Sequence, residues 1–578
     1  MSLRNLTTIW GENLPDKPLQ EYPRPQLERK SYVNLNGLWE YAITRTDELP
    51  RYYDGKILVP FSPESSLSGV NKQLKPKEFL YYRTYFTLNK GFIKDIVLLN
   101  FGAVDSIADV YVNGQHLCHH EGGYNAFSVD ITSALCEKDN ELVVRVRDFT
   151  DTKYYTHGKQ STNRGGMWYT PQSGIWQTVW LESVPAQYVR SLRITPNIDD
   201  ATVTIAAECT FDEPFTVIVY DGGEEVMKGD GHGVVTLRFP DGKFTLWSPE
   251  NPHLYSLKII SRRDQVESYF GMRKFSIDVV RGFKRLLLNN KPYFHNGLLD
   301  QGYYSDGLYT PPSDAAMVYD IKTMKDLGFN MLRKHIKVEP MRWYYHCDRL
   351  GMLVWQDMPS GGSRQDKFTT LYLPFIGINR IKDNQYARFS RANKKGRDAF
   401  VAEYTEMIAQ LYNCVSIATW VIFNEGWGQF DANKMTEYTR TLDSTRYIDQ
   451  ASGWHDQGGG DIRSLHVYFK NVRLPRDKKR VVCLTEFGGY SFKDDEHSFN
   501  PDATYSYKKF DTLNDFNQGV KELYERDVIA QIDKGLSAAV YTQVSDVEDE
   551  VNGLLTYDRK VLKVDAKMMR EINSKIKL

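Results

Sequence analysis

From about residue 281 onward the chain alternates between two kinds of stretch, and this alternation restricts the fold more than any other feature. Strand-like apolar runs ("KPYFHNG", "FNMLRKH", "MLVWQDMP", "ATWVIFNEG", "YIDQASG", "IRSLHVY", "RVVCLTEFGG", "LSAAVYTQVSD") are interleaved with helical stretches such as "DAAMVYDIKTMKDLG" and "EPMRWYYHCDRLG". About eight such units in roughly 300 residues argue for a (β/α)8 TIM barrel. The basic, aromatic segment between Pro359 and about Asp398 is expected as a long loop above the third strand. It is either a solvated insertion or a loop that shapes a substrate site.

Upstream the rhythm is that of all-β protein. Residues 1–185 carry short runs between turn signals ("YYRTYFTL", "DIVLLNFGAV", "NELVVRVRDF", "GIWQTVWLES"), and Asn113–Gly114 is the pair favoured in a type I′ hairpin. This pattern predicts a jelly-roll β-sandwich. Residues 186–280 repeat it over a shorter span ("ATVTIAAECTF", "FTVIVYDG", "YSLKIISRRD") and fit an Ig-like β-sandwich. A chain of 578 residues exceeds what one core organises. The expected architecture is therefore multidomain, β plus α/β: jelly roll at 1–185, Ig-like sandwich at 186–280, and (β/α)8 barrel at 281–578.

Composition excludes several classes of function. With 73 basic against 74 acidic residues, no net field favours nucleic acid or an anionic membrane. No run of about 18 apolar residues is present to span a bilayer. The six cysteines are scattered, without a CxxC or Cys/His cluster to suggest zinc, and Cys414 and Cys483 read as buried thiols. Aromatic residues at 13% suit all-β cores and also suit sites where rings stack on sugar faces. No signal peptide opens the sequence, so it is expected in the cytoplasm as it stands, and in the periplasm or outside the cell if a signal segment was removed.

In a barrel of this kind the functional face is the carboxyl end of the strands. Strand by strand, the candidates there are His295 and Asn296; Arg333 and His335; Trp355 and Asp357; Asn424, Glu425 and Trp427; Ser452 and Trp454; His466 and Tyr468; Glu486; and Tyr541, Gln543 and Asp546. Two carboxylates have matching settings. Glu425 in "VIFNEG" and Glu486 in "VCLTEFGG" each close an apolar strand and precede glycine. On the fourth and seventh of eight strands they can face one another across the barrel mouth, and two facing carboxyls are what glycoside hydrolysis needs. Arg333 and Asp357 are open between a structural ion pair and a site role. His295, His335 and His466 are open between satisfied scaffold histidines and sugar contacts, and Trp427 and Trp454 between core and substrate.

With these residues assembled, the chain resembles glycoside hydrolase family 2, the β-galactosidases, β-glucuronidases and β-mannosidases. "RPQLERKSYVNLNGLWEY", "ADVYVNGQHLCHHEGGYNAFSVDIT", "SGIWQTVWLE", "LWSPENPHLY", "NEGWG" and "TEFGG" carry the resemblance along nearly the whole chain. It implies a retaining exo-β-glycosidase with Glu425 as acid/base and Glu486 as nucleophile. Asn424 would contact the sugar 2-hydroxyl, Tyr468 would bond the nucleophile, and Arg333 would hold it. Departures bear on the sugar. The stretch "EVNGLL" lacks the lysine with which glucuronidases of the family read a sugar carboxylate, and Gly166 stands where many galactosidases carry an acid. Tyr541 and Gln543 stand where Trp and acidic residues are frequent. The magnesium ligands of the large β-galactosidases have no match, so no cofactor is required that the sequence shows and a divalent metal stays unassigned. Asp546–Glu548–Asp549–Glu550 reads as a solvated or salt-bridged loop. The expected partner is an oligosaccharide or polysaccharide-derived β-glycoside, with no nucleic acid, no membrane, and a homo-oligomer as an open option. β-Galactosidase is the first specificity. The alternatives are a β-glucuronidase, a β-mannosidase, a plant-polysaccharide side-chain enzyme, or a non-catalytic carbohydrate-binding protein.

Overall fold

The computed structural model describes residues 3–363 and 366–578. The first two residues lie outside it, as do Arg364 and Gln365 within the long insertion.

Alternation of buried and open positions on a pleated ribbon dictates the amino-terminal part. In Asn140–Arg147, Leu142, Val144 and Val146 are fully buried, while Glu141 and Arg145 lie half-buried on the other face. A six-stranded sheet and a four-stranded sheet, both antiparallel, stack through such faces, with Trp39, Leu80, Val97, Val110 and Leu181 between them. Asn113 and Gly114 join Ile107–Val112 to Gln115–Glu121 with φ of 50° and 78°, the positive pair that a type I′ turn requires. Two smaller sheets built from Val189–Asn197 to Gln265–Phe270 enclose a second core around Val203, Val217 and Leu257. The hairpin Phe275–Val280 and Phe283–Leu288 then closes the floor of the barrel. Arg285 donates to the Ile532 carbonyl at 2.7 Å there, and Leu286 and Leu288 join the barrel-bottom core.

The barrel strands are β1 (His295–Asp300), β2 (Met331–Lys334), β3 (Leu353–Asp357), β4 (Ile417–Val421), β5 (Tyr447–Asp449), β6 (Ile462–Val467), β7 (Val481–Gly488) and β8 (Leu536–Thr542). They pair in parallel in the order β5-β4-β3-β2-β1-β8-β7-β6. The fold class is the one the sequence implies. Among the described residues no ladder joins β5 to β6. Asp461 bridges the joint, its N–H donating to the Ile448 carbonyl at 2.8 Å and its carboxylate accepting from the Ile448 N–H at 2.9 Å.

Helices α1 (Asp314–Asp326), α2 (Met341–Leu350), α3 (Lys394–Leu411) and α4 (Ala432–Leu442) follow β1 to β4; α5 (Leu513–Tyr524) follows β7 and α6 (Ala566–Asn573) follows β8. In α1 the Ser313 hydroxyl caps the Ala316 N–H at 3.2 Å, and Ala316, Met317, Ile321 and Met324 form its buried stripe. No helix follows β5 or β6 among the described residues. The outward side chains of β6 (Arg463, Leu465, Val467) are consequently only half-buried, whereas Ile462, Ser464 and His466 are buried. No helix among the described residues is long and apolar enough to cross a membrane.

Candidate active site

Glu486 sits at the end of β7, where ladder register shifts on both sides (against β6 between its residues Leu465 and His466, and against β8 between Leu484 and Phe487 of β7 itself) bend the strand and re-aim its side chain. Its carboxylate is held at both oxygens. Arg333 Nη1, from β2, donates to Oε1 at 3.1 Å, and the Tyr468 hydroxyl donates to Oε2 at 2.5 Å. Tyr468 is itself fixed by stacking on Tyr507, with centroids 3.7 Å apart. Arg333 is bidentate to Asp357 at 2.9 and 3.0 Å and donates to Asn424 Oδ1 at 2.9 Å. Burial by itself would raise the Glu486 carboxyl, but the charges of His466 and Arg333 and the Tyr468 hydrogen bond outweigh it, so the group stays below the usual carboxylate range.

Glu425 stands opposite, four residues beyond β4, in the left-handed conformation with φ of 49°. For a non-glycine residue this costs about 1 kcal/mol, a strain that surrounding structure must hold. Its N–H donates to the Ser452 carbonyl at 2.8 Å. The carboxylate lies 2.8 Å from His466 Nδ1, and the same nitrogen is 3.5 Å from Glu486 Oε2. One oxygen of Glu425 comes within 4.8 Å of one of Glu486. Glu425 also lines a cavity of about 960 Å³, which Trp454, Met167, Tyr505 and the insertion residues Leu371 and Ile376 help to enclose.

Orphaned polar atoms mark where a ligand would be met. Asn424 gives its carbonyl oxygen to Arg333, while its buried Nδ2 has no partner. His335 Nδ1 lies 2.9 Å from Asp357 Oδ2. Burial, then the ammonium of Lys159, drive His335 well below its ordinary value, so it is neutral. A proton on Nδ1 leaves Nε2 as an acceptor. Trp427 is buried, tilted against Trp168 at 5.3 Å and edge-on to His335 at 6.2 Å.

The structure thus brings together Glu425, Glu486, Asn424, Arg333, His335, Asp357, Tyr468, Trp427 and Trp454, the last edge-on to His466 at 5.6 Å. Three expected residues lie elsewhere. His295 begins β1 instead of ending it, because the strand runs on through Gly297–Asp300; it sits at the barrel floor, accepting from Trp355 Nε1 at 2.9 Å. Tyr541 points outward, since side chains alternate along β8, and packs on Phe487 and Tyr524; it is Thr542 that reaches Tyr468, at 3.0 Å. Gln543 is engaged by Gln301 at 2.7 Å and Asn552 at 2.8 Å, so it braces the loop.

Sequence reasoning left other participants unassigned. His466 reads as scaffold or sugar contact, yet it stands between the two carboxylates. Residues 156–170 of the jelly-roll region reach over the barrel mouth: the His157 N–H donates to the Ser360 carbonyl at 2.8 Å, and Arg164 bonds Glu548 at 2.6 Å and Asp549 at 2.5 Å. No local pattern marks that long-range contact; the run of small and polar residues in "HGKQSTNRGG" is its only trace.

Metal ligation does not fit. Among the described residues the cluster of suitable geometry is Glu425, His466 and Glu486, but the Arg333 guanidinium already supplies Glu486 with a cation. The acidic loop is buried and salt-bridged: Asp546 accepts from Lys563 at 2.7 Å, Glu548 and Asp549 from Arg164, and Glu550 from Tyr169 and Asn552.

Comparison with known proteins agrees with this architecture. The model of the glycosyl hydrolases family 2 sugar binding domain matches residues 66–185, that of glycosyl hydrolases family 2 matches 187–273, and that of the family's TIM barrel domain matches 280–476. A beta-galactosidase of Leuconostoc mesenteroides is 26% identical over 494 residues, 78% of this chain and 42% of its own. A putative beta-glucuronidase of Formosa agariphila is 26% identical over 351 residues, 57% of this chain and 37% of its own. The chain thus spans about two fifths of the length of these curated relatives. Among solved structures, a beta-glucuronidase of an uncultured Clostridium sp. superposes with a TM-score of 0.74 at 17% identity, covering 95% of this chain and 99% of that one. A GH2 beta-galacturonidase from Eisenbergiella tayi gives 0.71 at 18% identity, covering 96% and 99%. With all three models of one family matched in order along its length, the chain belongs to glycoside hydrolase family 2, a family of glycosidases.

Proposed function

We propose that the protein is a retaining exo-β-glycosidase acting by double displacement. The observation that carries this reading is the approach of the Glu425 and Glu486 carboxylates to within 4.8 Å, with unequal surroundings. Retaining enzymes keep their carboxyl groups about 5–5.5 Å apart, and inverting ones about 6.5–9.5 Å, to leave room for water. Glu486, kept ionised by Arg333 and Tyr468, attacks the anomeric carbon. Glu425, beside the open cavity and His466, gives a proton to the leaving oxygen and then takes one from the water that releases the sugar. The unpaired Nδ2 of Asn424 suits the 2-hydroxyl, where a hydrogen bond tightens in the transition state. The jelly-roll segment packed over one side of the mouth supports removal of a terminal sugar. β-Galactosides are the first specificity to test, since several related sequences carry the name beta-galactosidase. Hydrolysis of nitrophenyl β-galactoside, glucuronide, mannoside, glucoside and arabinoside by the wild type and Glu486→Gln tests the reading. Turnover of one of them, lost in the variant, is expected; binding without turnover of any would favour a carbohydrate-binding protein instead.

A further inference from the structure

Which proton a histidine offers a carboxylate depends on what holds the other nitrogen of its ring. Behind His466 stands a row of hydroxyls. Its Nδ1 faces Glu425 at 2.8 Å, and its Nε2 lies 3.1 Å from the Ser452 hydroxyl. That hydroxyl donates to Thr485 Oγ1 at 3.1 Å, and the Thr485 hydroxyl donates to the Leu465 carbonyl at 3.3 Å. A carbonyl only accepts, so the direction of the row is set from that end. Thr485 gives its hydrogen to Leu465, Ser452 gives its own to Thr485, and what Ser452 offers His466 is a lone pair. Nε2 is therefore the nitrogen that carries hydrogen, and Nδ1 of the neutral ring is an acceptor.

The strands build this row deliberately close to the acid. Thr485 is the residue of β7 left without a ladder partner by the register shift between Leu465 and His466. Ser452 and Thr485 are both fully buried, away from competing water. The Ser452 carbonyl also takes the Glu425 N–H at 2.8 Å, so one residue fixes the backbone of Glu425 and the far side of its partner ring. Gly453 permits the approach, since a Cβ there would lie 2.5 Å from His466 Nδ1.

We propose that Ser452 and Thr485 are positioning residues that present His466 Nδ1 to Glu425 as an acceptor, so that the contact between the two side chains retains a proton until the leaving group takes it. An ionised Glu425 beside a neutral ring would set a carboxylate oxygen against a lone pair at 2.8 Å, which is why the proton is kept. In the first displacement the bond from the anomeric carbon to the leaving oxygen breaks as the bond to Glu486 forms, and the leaving oxygen takes this proton. In the second, water gives its hydroxyl to the anomeric carbon and returns a proton to the pair. The proposal deepens the glycosidase reading and rests on it for kinetics, whereas the state of the ring is independent of turnover.

Other titratable groups face the pair: Glu486 on β7, His335 on β2, Asp357 on β3, Asp449 on β5, Tyr468 on β6, and Tyr505 and Tyr507 beyond β7. Arg333 is paired with Asp357 and Glu486, and Arg463, Lys470 and Arg473 line the cavity side. Among the described residues none of these side chains bonds the Ser452 or Thr485 hydroxyl, so removing a hydroxyl leaves that field in place.

The test follows kcat/KM against pH on an alkyl β-glycoside of whichever sugar is turned over, for wild type, Ser452→Ala, Thr485→Val and Thr485→Ser. Valine keeps the shape of threonine but frees the Ser452 hydrogen to turn to Nε2. The ring hydrogen then moves to Nδ1, where it satisfies an ionised Glu425, and the pair releases its proton more easily. The basic limb is expected to fall by about one unit in Thr485→Val and Ser452→Ala, the scale of a hydrogen bond to a charged group. The acid limb should stay, and Thr485→Ser should restore the basic one. A loss spread evenly over pH with both limbs unmoved would make the hydroxyls packing alone and overturn the proposal. Nitrogen-15 NMR of histidine-labelled protein, with His466 identified by its absence in His466→Gln, reads the ring without turnover. Nε2 should carry hydrogen throughout the titration and Nδ1 should titrate, with the roles exchanged at high pH in Thr485→Val. A wild-type ring whose Nδ1 carries the hydrogen at high pH would overturn the relay. Absence of any turnover alongside the expected ring state would overturn the glycosidase reading and leave the relay standing.

Discussion

The ends of β4 and β7 look alike as sequence, an apolar stave closing on glutamate near glycine, but the fold gives them different surroundings. Glu486 is bent into the barrel by register shifts and bonded at both oxygens, by Arg333 and Tyr468. Glu425 is lifted out in the left-handed conformation beside an open cavity, its side chain 13% exposed against 5%, with the His466 ring against its carboxylate. The difference teaches that roles are assigned by what surrounds each carboxylate. A group crowded by cations and donors stays ionised and can attack. One that faces the leaving group and touches only a titratable ring can exchange protons.

The sharpest way to break this contrast is to remove each acid in turn. Glu486→Gln should lower kcat by about a millionfold, the scale of losing a nucleophile, on every leaving group alike. Glu425→Gln should cost about 10²–10⁴-fold in glycosylation of a sugar or alkyl leaving group, and much less with dinitrophenolate, which departs without a proton. Equal losses for both variants across leaving groups would mean that the environments do not assign the roles. Next in size, Tyr468→Phe should lower kcat/KM by about 10–100-fold. It should also move the acid limb of the pH profile upward by about 1–2 units, since losing a donor to the anionic Glu486 raises its pKa. An unmoved limb would place Tyr468 in packing alone.

A buried carboxylate with no ion pair among the described residues sharpens the same comparison. Glu403 of α3 accepts from the Thr156 hydroxyl at 2.6 Å, and burial pushes it up to about 7. Its folded value lies above the ordinary 4.5, so its contribution to stability is complete below pH 4.5 and is lost as pH rises to 7. Glu403→Gln should flatten the stability profile over that window by on the order of 2 kcal/mol, read from denaturant midpoints.

Much of this was legible in the sequence, for reasons that also explain the failures. Eight apolar staves with polar ends mark a barrel because parallel strands buried on both faces must be apolar until they reach the mouth. Glu425, Glu486, Arg333 and Tyr468 are visible at those ends. His295 lies at the opposite end of β1 from the expected one because "KPYFHNG" continues into "LLD", and a period of two gives no start point. Tyr541 failed by one step of alternation, which turns a side chain from mouth to helix layer. His466 is one of several strand-end histidines, and it stands between the acids just past a register shift of β6 against β7 that no sequence period records. The segment 156–170 lies in a different domain from the barrel whose mouth it covers, and no local period records such a contact.

The measurement that tests the central claim most directly is the anomer released first, followed by proton NMR during hydrolysis of whichever β-glycoside the enzyme turns over. Carboxylates this close, with Glu486 as nucleophile, predict that the β-anomer appears first and mutarotates only later. First appearance of the α-anomer would mean direct attack by water, and would contradict the double displacement and the role given to Glu486.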